Sequence, residues 1–154
     1  MNTRSRVLNV VTKSMNVAHR AVWKLSGHRL LNEPMGMPAV ELHTTGRRSG
    51  QRRTVILTTP VHDETRVVLV ASKGGDDRHP DWYRNLCDDP HVELTMDGTT
   101  RPFVARTADA TEKAELWPRV VSAYRGYAGY QRRTSRDIPL VICEPATASD
   151  RPGI

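Results

Sequence analysis

Apolar and polar positions change their period several times along this chain, and the changes mark out its elements. Over the first 32 positions Val7, Leu8, Val11, Met15, Ala18, Val22 and Leu25 recur at helical spacing, and the run stops near Gly27. Arg4, Arg6, Lys13, Arg20, Lys24 and Arg29 fill positions between them, with no acidic residue before Glu33. The pattern predicts a basic amphipathic helix over 1–32. Such a helix can pack its apolar stripe on a domain, the commoner use, or lie on an anionic membrane surface. Pro34-Met35-Gly36-Met37-Pro38 then reads as a linker.

Beyond it the period shifts to two. Short β-branched or alternating runs predict strands over 39–45, 54–59, 66–71, 91–96, 100–106 and 138–143. Asp97-Gly98 sits between two of them and predicts a tight hairpin, whose central residues both need positive φ. Pro102 and Pro139 belong at strand starts, bulges or edges. Helices are predicted over 80–87, with Pro80 at the first turn, and over 111–124, with Asp109 and Glu112 at capping-box spacing. Pro118 should kink or restart the second. A short third helix is expected over 127–133, and 146–154 reads as a flexible tail. Six short strands with helical excursions predict one domain over 33–145, mainly β with helices (α+β), a small antiparallel barrel with helices outside. A dinucleotide-binding sheet is disfavoured: there is no G-x-G-x-x-G and no regular βαβ alternation.

Composition narrows this further. The chain has 154 residues, one domain's worth, and no uncharged apolar run long enough to cross a bilayer as a helix. Cys87 and Cys143 are far apart and outside any CxxC, and read as reduced core residues. The N-terminus lacks the pattern of an export signal, so the cytoplasm is expected. The six histidines are scattered without zinc spacing, no metal site is expected, and no G-x-S-x-G nucleophile motif occurs. The net charge is +6, and 19 of the 23 basic residues are arginine. That points to anionic partners: a phosphorylated cofactor, nucleic acid or an anionic membrane.

Three constellations carry candidate chemistry. Thr45-Gly-Arg-Arg-Ser-Gly-Gln-Arg-Arg53 joins the first two strands, and its glycines and four arginines suit a phosphate and carboxylates; a solvated, edge-protecting hairpin loop has the same composition. Ser72-Lys73-Gly74-Gly75 ends the third strand and reads as backbone opened for a ligand, or as a plain flexible loop. Asp77-Arg78-His79-Pro80 then leads into a helix N-terminus, a further anion site. Tyr124, Tyr127 and Tyr130 would share one face of a helix, where neutral phenols can bind a planar ring or donate a proton, or simply pack.

Taken together, Thr44-Thr-Gly-Arg-Arg-Ser-Gly-Gln51, Val70-Ala-Ser-Lys-Gly-Gly75, His79-Pro-Asp-Trp-Tyr-Arg-Asn-Leu86, Leu116-Trp-Pro118 and Gly126-Tyr-Ala-Gly-Tyr-Gln131 through Ile138-Pro139 resemble the deazaflavin (coenzyme F-420)-dependent nitroreductase family over about residues 39–145. The resemblance implies a split β-barrel of FMN-binding type that takes hydride from reduced coenzyme F-420 to a quinone or a nitroaromatic acceptor. By motif match it implies that Arg47, Arg48, Ser49, Gly50 and Arg53 contact the coenzyme's phosphate and oligoglutamate tail. Val70, Ser72, Lys73 and Gly74 would line the deazaflavin with Trp82 and Asn85, and Ile56, Leu57 and Thr58 would lie under the ring. Tyr127 and Tyr130 would stand near the ring, with Tyr127, then Tyr124 and Ser72, as candidate proton donors. Arg52, where many relatives have proline, would add charge for the tail. Split barrels of this kind also pair as homodimers. The location implied is cytoplasmic, with peripheral contact at the inner face of the cell membrane through 1–30 if the opening helix binds lipid.

Two rivals stand beside this reading. FMN on the same barrel would use one phosphate, for which so many arginines are more than needed. A basic nucleic-acid-binding module fits the net charge, but the aromatic residues are not interleaved with basic ones on the strands. No nucleic-acid partner is therefore expected.

Overall fold

A computed structural model describes residues 36–150. The helix expected over 1–32, and any membrane contact through 1–30, lie outside the described residues, as do residues 151–154. The fold is mixed α+β, with an antiparallel half-barrel sheet of seven strands: β1 (Ala39–Thr45), β2 (Arg52–Thr58), β3 (Val61–His62), β4 (Val67–Val70), β5 (His91–Met96), β6 (Thr99–Thr107) and β7 (Leu140–Pro145). Their spatial order is β2-β1-β5-β6-β7-β4-β3. Three α-helices accompany them among the described residues: α1 (Asp81–Asp88), α2 (Ala110–Ala123) and α3 (Gly126–Arg132). The expected count of six strands is thus corrected to seven. The extra strand, β3, is two residues long and too short to show alternation. It turns into β4 through Asp63, whose carboxylate accepts from the N–H of Thr65 at 2.9 Å and of Arg66 at 3.1 Å.

The strand alternation builds two cores. Val40, Leu42, Val92 and Leu94 point to one face, where Leu86 of α1 covers them. Leu116 and Val120 of α2 and Tyr127 of α3 cover the other face, around Val61, Val68, Val70 and Ile138. β4 and β7 feed both: Val67, Leu69, Val141 and Cys143 enter the first core, while Val68, Val70, Leu140 and Ile142 enter the second. Burial on both faces is why these two strands read as unbroken apolar runs. On β1 only one face is apolar, and Glu41 and His43 lie on the other. His43 bridges Thr54 on β2 and Thr95 on β5, at 2.8 Å each.

The punctuation in the sequence is met with amendments. Asp97 and Gly98 have φ of 49° and 77°, as the hairpin requires. Asp109 and Glu112 form the capping box. Pro139 immediately precedes β7. Pro102, however, lies inside β6, opposite Glu93 on β5. Its carbonyl accepts from Ala146 N–H at 3.1 Å, so its missing N–H faces the side where β7 has already ended. Pro118 does not interrupt α2; it and Ala114 are both exposed, which leaves the freed carbonyl to water. Cys143 is buried as expected, and burial pushes its thiol up to about 12. Cys87 is exposed instead, since Asn85 and Leu86 take the inward positions of α1. In the expected tail, Ala148–Asp150 forms a single 3-10 turn.

Candidate functional site

The arginine loop folds on its own glycines. Gly46 N–H donates to Gln51 O at 2.8 Å and Gly50 N–H to Gly46 O at 2.7 Å, with Gly50 at φ 65°. A side chain on Gly46 would lie 2.7 Å from Ser49 Oγ. One anchor ties the loop to the rest: Asn85 Oδ1 accepts from Arg47 N–H and from Arg47 Nη1, both at 3.2 Å, while Asn85 Nδ2 donates to Thr44 at 3.2 Å. Arg47 also lies 3.5 Å from Asp81. Asn85 is buried, so it serves as the peg that fixes this loop to α1. Arg52 is ion-paired with Glu93, so its charge is already answered rather than added to a tail site. The Arg53 guanidinium donates to Ser49 Oγ at 3.3 Å, and Arg48 is exposed; neither has a carboxylate partner among the described residues.

At the other end of β2, Thr58 Oγ1 shares a 3.0 Å hydrogen bond with the phenol of Tyr127. Tyr127 is 6% exposed. Burial raises its pKa above the ordinary phenol value, the Thr58 bond partly offsets that, and the neighbouring Tyr124 adds to it, so the hydroxyl keeps its proton throughout the neutral range. The rings of Tyr124, Tyr127 and Tyr130 form a cluster with centroids 5.4 to 6.3 Å apart. They do so without sharing one helix face. Tyr124 caps α2 in extended backbone (φ −152°) and folds its ring over Gly126, where a Cβ would come within 2.2 Å of it. Among the residues expected under a ring, strand alternation separates Leu57, packed on the first core, from Ile56 and Thr58 on the opposite face. Val70 is a core residue of the second cluster, and Trp82 packs against the first core, edge-on to Tyr83 at 6.2 Å.

The third constellation is a 3-10 turn, Lys73–Gly75, entered from the buried Ser72. Lys73 Nζ lies 3.7 Å from Asp76. Burial would raise the Asp76 pKa, but the Arg78 N–H and the charges of Lys73 and Arg78 outweigh it and hold the carboxyl below its usual value. A Cβ on Gly75 would lie 2.6 Å from Tyr130 O, so the turn docks directly on α3. These contacts close a circuit: β2 reaches α1 through the arginine loop and α3 through Thr58, α3 seats the Lys73 turn, and that turn leads back into α1. The three motifs are therefore linked to one another by a continuous chain of contacts.

Sequence reasoning missed the group that holds the turn. Arg136 donates to Asp76 O (2.7 Å), Ser72 O (2.7 Å) and Ala71 O (3.1 Å), and its Nη1 lies 3.2 Å from His79 Nδ1. Nearby, Thr134 donates to Asp77 at 2.9 Å. Nothing in the local spacing sets Arg136 apart from the other arginines. The usable signal was the pairing of β4 with β7, Val70 opposite Leu140, which carries the residues before β7 back beside Ala71. Among the described residues no cluster of three metal-ligating side chains occurs, and no helix is long and apolar enough to cross a membrane.

The family model described as F420H(2)-dependent quinone reductase matches residues 15–145. An F420H(2)-dependent quinone reductase of Mycobacterium tuberculosis is 40% identical over 123 residues, 75% of this chain and 77% of that protein. A solved F420-H2 dependent reductase, FDR-A, is 40% identical, has a TM-score of 0.63 and covers 70% of this chain and 94% of its own. A structure described as a domain-swapped dimer is 32% identical, with a TM-score of 0.66 over 92% of this chain and 96% of that one.

Proposed function

The chain belongs to the F420H(2)-dependent quinone reductase family, and from that premise we propose which of its residues carry the reaction. It is an oxidoreductase that passes hydride from reduced coenzyme F-420 to a quinone. Nitroaromatic acceptors, the split form of the β-barrel, a cytoplasmic location, peripheral membrane contact through 1–30 and pairing as a homodimer belong to the same reading; the similarity to a domain-swapped dimer supports the last.

The donor set suits this coenzyme. Its phosphate and glutamate carboxylates need cations that are not already paired, and Arg48 and Arg53 are such cations beside the exposed Ser49 and Gly50. FMN, with one phosphate, offers them fewer anionic groups than a phosphate followed by several carboxylates. In the proposed arrangement Arg47 fixes the loop while Arg48 and Arg53 grip the appendage. Ser72, Lys73 and Gly74 receive the ring with Trp82, and Ile56, Leu57, Thr58 and Val70 form the strand walls behind it. When bound, the deazaflavin supplies the hydride. The protein supplies proximity, exclusion of water and a proton. Tyr127 is the proton donor of choice: its phenol stays neutral, Thr58 orients it, and it can donate to negative charge developing on the acceptor oxygen. Tyr124 and Ser72 are the next candidates, and Tyr130 completes the aromatic wall.

The observation that carries this reading is the closed circuit joining unpaired guanidinium groups, the Lys73 turn and a buried neutral phenol. Its test is a fluorescence titration of the protein with oxidised coenzyme F-420 and with FMN, then oxidation of the reduced coenzyme by menadione and by a nitroimidazole. Tighter binding of the deazaflavin and turnover with menadione are expected; preference for FMN would refute the assignment. Tyr127→Phe should lower kcat by about 100-fold or more while moving the coenzyme Kd little. Unchanged turnover removes Tyr127 as the donor.

A further inference from the structure

The 72–76 turn holds a backbone that the chain would not keep unaided. Lys73, Gly74 and Gly75 are three successive left-handed residues, with φ of 46°, 64° and 82°. Lys73 adopts this conformation despite its Cβ, at a cost on the order of 1–2 kcal/mol. Three carbonyls around the turn, those of Ala71, Ser72 and Asp76, converge on the one guanidinium of Arg136, from the segment between α3 and β7. That segment is itself tied down. Arg136 N–H donates to Thr134 Oγ1 at 3.2 Å, and Gln131 bonds Arg136 O at 2.8 Å and Ile138 N–H at 2.9 Å.

The direction of these bonds has a geometric consequence. Every described peptide bond is trans, so each C=O is antiparallel to the N–H of the next residue. With the carbonyls of Ala71 and Ser72 drawn onto Arg136, the N–H groups of Ser72 and Lys73 are turned to the opposite side. The geometry points to Arg136 as a positioning residue for coenzyme binding: it fixes the turn so that the Ser72 and Lys73 N–H groups and the Lys73 side chain meet the coenzyme already arranged. This rests on the deazaflavin reading above. A planar fork with five donors can serve three spread carbonyls and His79 at once, whereas the compact ammonium of lysine cannot.

The test uses the full chain with Arg136→Lys and Arg136→Ala, together with Thr134→Val, which disturbs the seat of Arg136 and keeps its guanidinium. Readouts are the Kd for oxidised coenzyme F-420, separate KM values for the reduced coenzyme and for menadione, Tm, and amide hydrogen exchange in the ligand-free protein. Arg136→Lys should raise Kd and coenzyme KM about tenfold or more, leave menadione KM in place, and speed exchange at 72–76 but not at 39–45. Thr134→Val should shift the same quantities by less, and millimolar guanidinium should partly restore coenzyme binding to Arg136→Ala. Coenzyme binding by Arg136→Lys within about twofold of wild type overturns the role, as does a rise of both KM values in step with a fall in Tm. Failure of the wild type to bind coenzyme F-420 refutes the cofactor reading and this role with it. Unchanged exchange at 72–76 in Arg136→Lys refutes the positioning alone.

Discussion

The two loops proposed to meet the coenzyme are built in opposite ways. The 46–51 loop is exposed at its tip, closes on its own backbone and is tied to α1 at one residue, Arg47, which meets Asn85 and Asp81. The 73–75 turn is held from outside by the Arg136 guanidinium, by Arg133 Nη1 on Gly74 O at 3.4 Å, and by direct contact of Gly75 with α3. The difference matches what each would hold. An acidic appendage on a flexible tether tolerates an adaptable grip, because charge and reach suffice. A ring that must deliver hydride across a short gap needs backbone that is already in place.

Matched glycine substitutions break this comparison most sharply. Gly75→Ala combines φ of 82° with a Cβ 2.6 Å from Tyr130 O, so α3 must shift and take Tyr127 with it. Strain and displacement together are worth about 3 kcal/mol, which lowers Tm by roughly 6–12 °C in a chain this size. Coenzyme affinity and turnover should fall together. Gly50→Ala has a similar φ of 65° but nothing within 4 Å of the new Cβ. There the loss is about 1 kcal/mol, some ~2–4 °C, with turnover nearly intact. Equal melting shifts for the two variants would show that the loops are not differently supported.

Charge removal sharpens the contrast at the loop itself. Arg48→Ala and Arg53→Ala should each weaken coenzyme F-420 binding by about 1.5–3 kcal/mol, roughly tenfold or more, since each deletes a charge-assisted donor to the appendage. A deazaflavin lacking both the phosphate and the glutamate tail should bind wild type and both variants alike. If that ligand loses as much, these arginines do not serve the appendage.

What the sequence made legible follows the same division. The hairpin at Asp97-Gly98, the capping box at Asp109 and the arginine loop are local, set by residues within a few positions of each other, and the structure has each where expected. The two-residue β3 was not legible, because alternation needs more positions than it has. Nor was the cluster of Tyr124, Tyr127 and Tyr130 read correctly in detail: helical spacing predicted their company, but Tyr124 reaches it from extended backbone over Gly126. Arg136 was missed because its role exists only through the β4–β7 pairing, a long-range fact that no spacing near residue 136 encodes.

The smallest effect, and the most specific to the clamped turn, is its pH dependence. Arg136 Nη1 is a donor, so the 3.2 Å contact to His79 requires an unprotonated Nδ1. Burial lowers the His79 pKa below its ordinary 6.5, and the charges of Arg136 and Arg84 lower it further. Its other recorded neighbour is the Tyr83 ring, at 4.9 Å. A depressed folded-state value means that the unfolded chain binds this proton more readily. The contribution of His79 to stability is therefore complete above about pH 6.5, declines as pH falls toward the lowered folded value, and is lost below it. His79→Asn keeps an acceptor for Arg136 and cannot titrate. Melting curves from pH 7.5 to 5 should show the gap between wild type and His79→Asn moving against wild type as pH falls, with exchange at 72–76 accelerating in wild type over the same range. Parallel melting profiles would mean that the Arg136–His79 contact bears none of the turn's support, leaving it to the carbonyls on Arg136, to Arg133 and to the packing of Gly75 on α3.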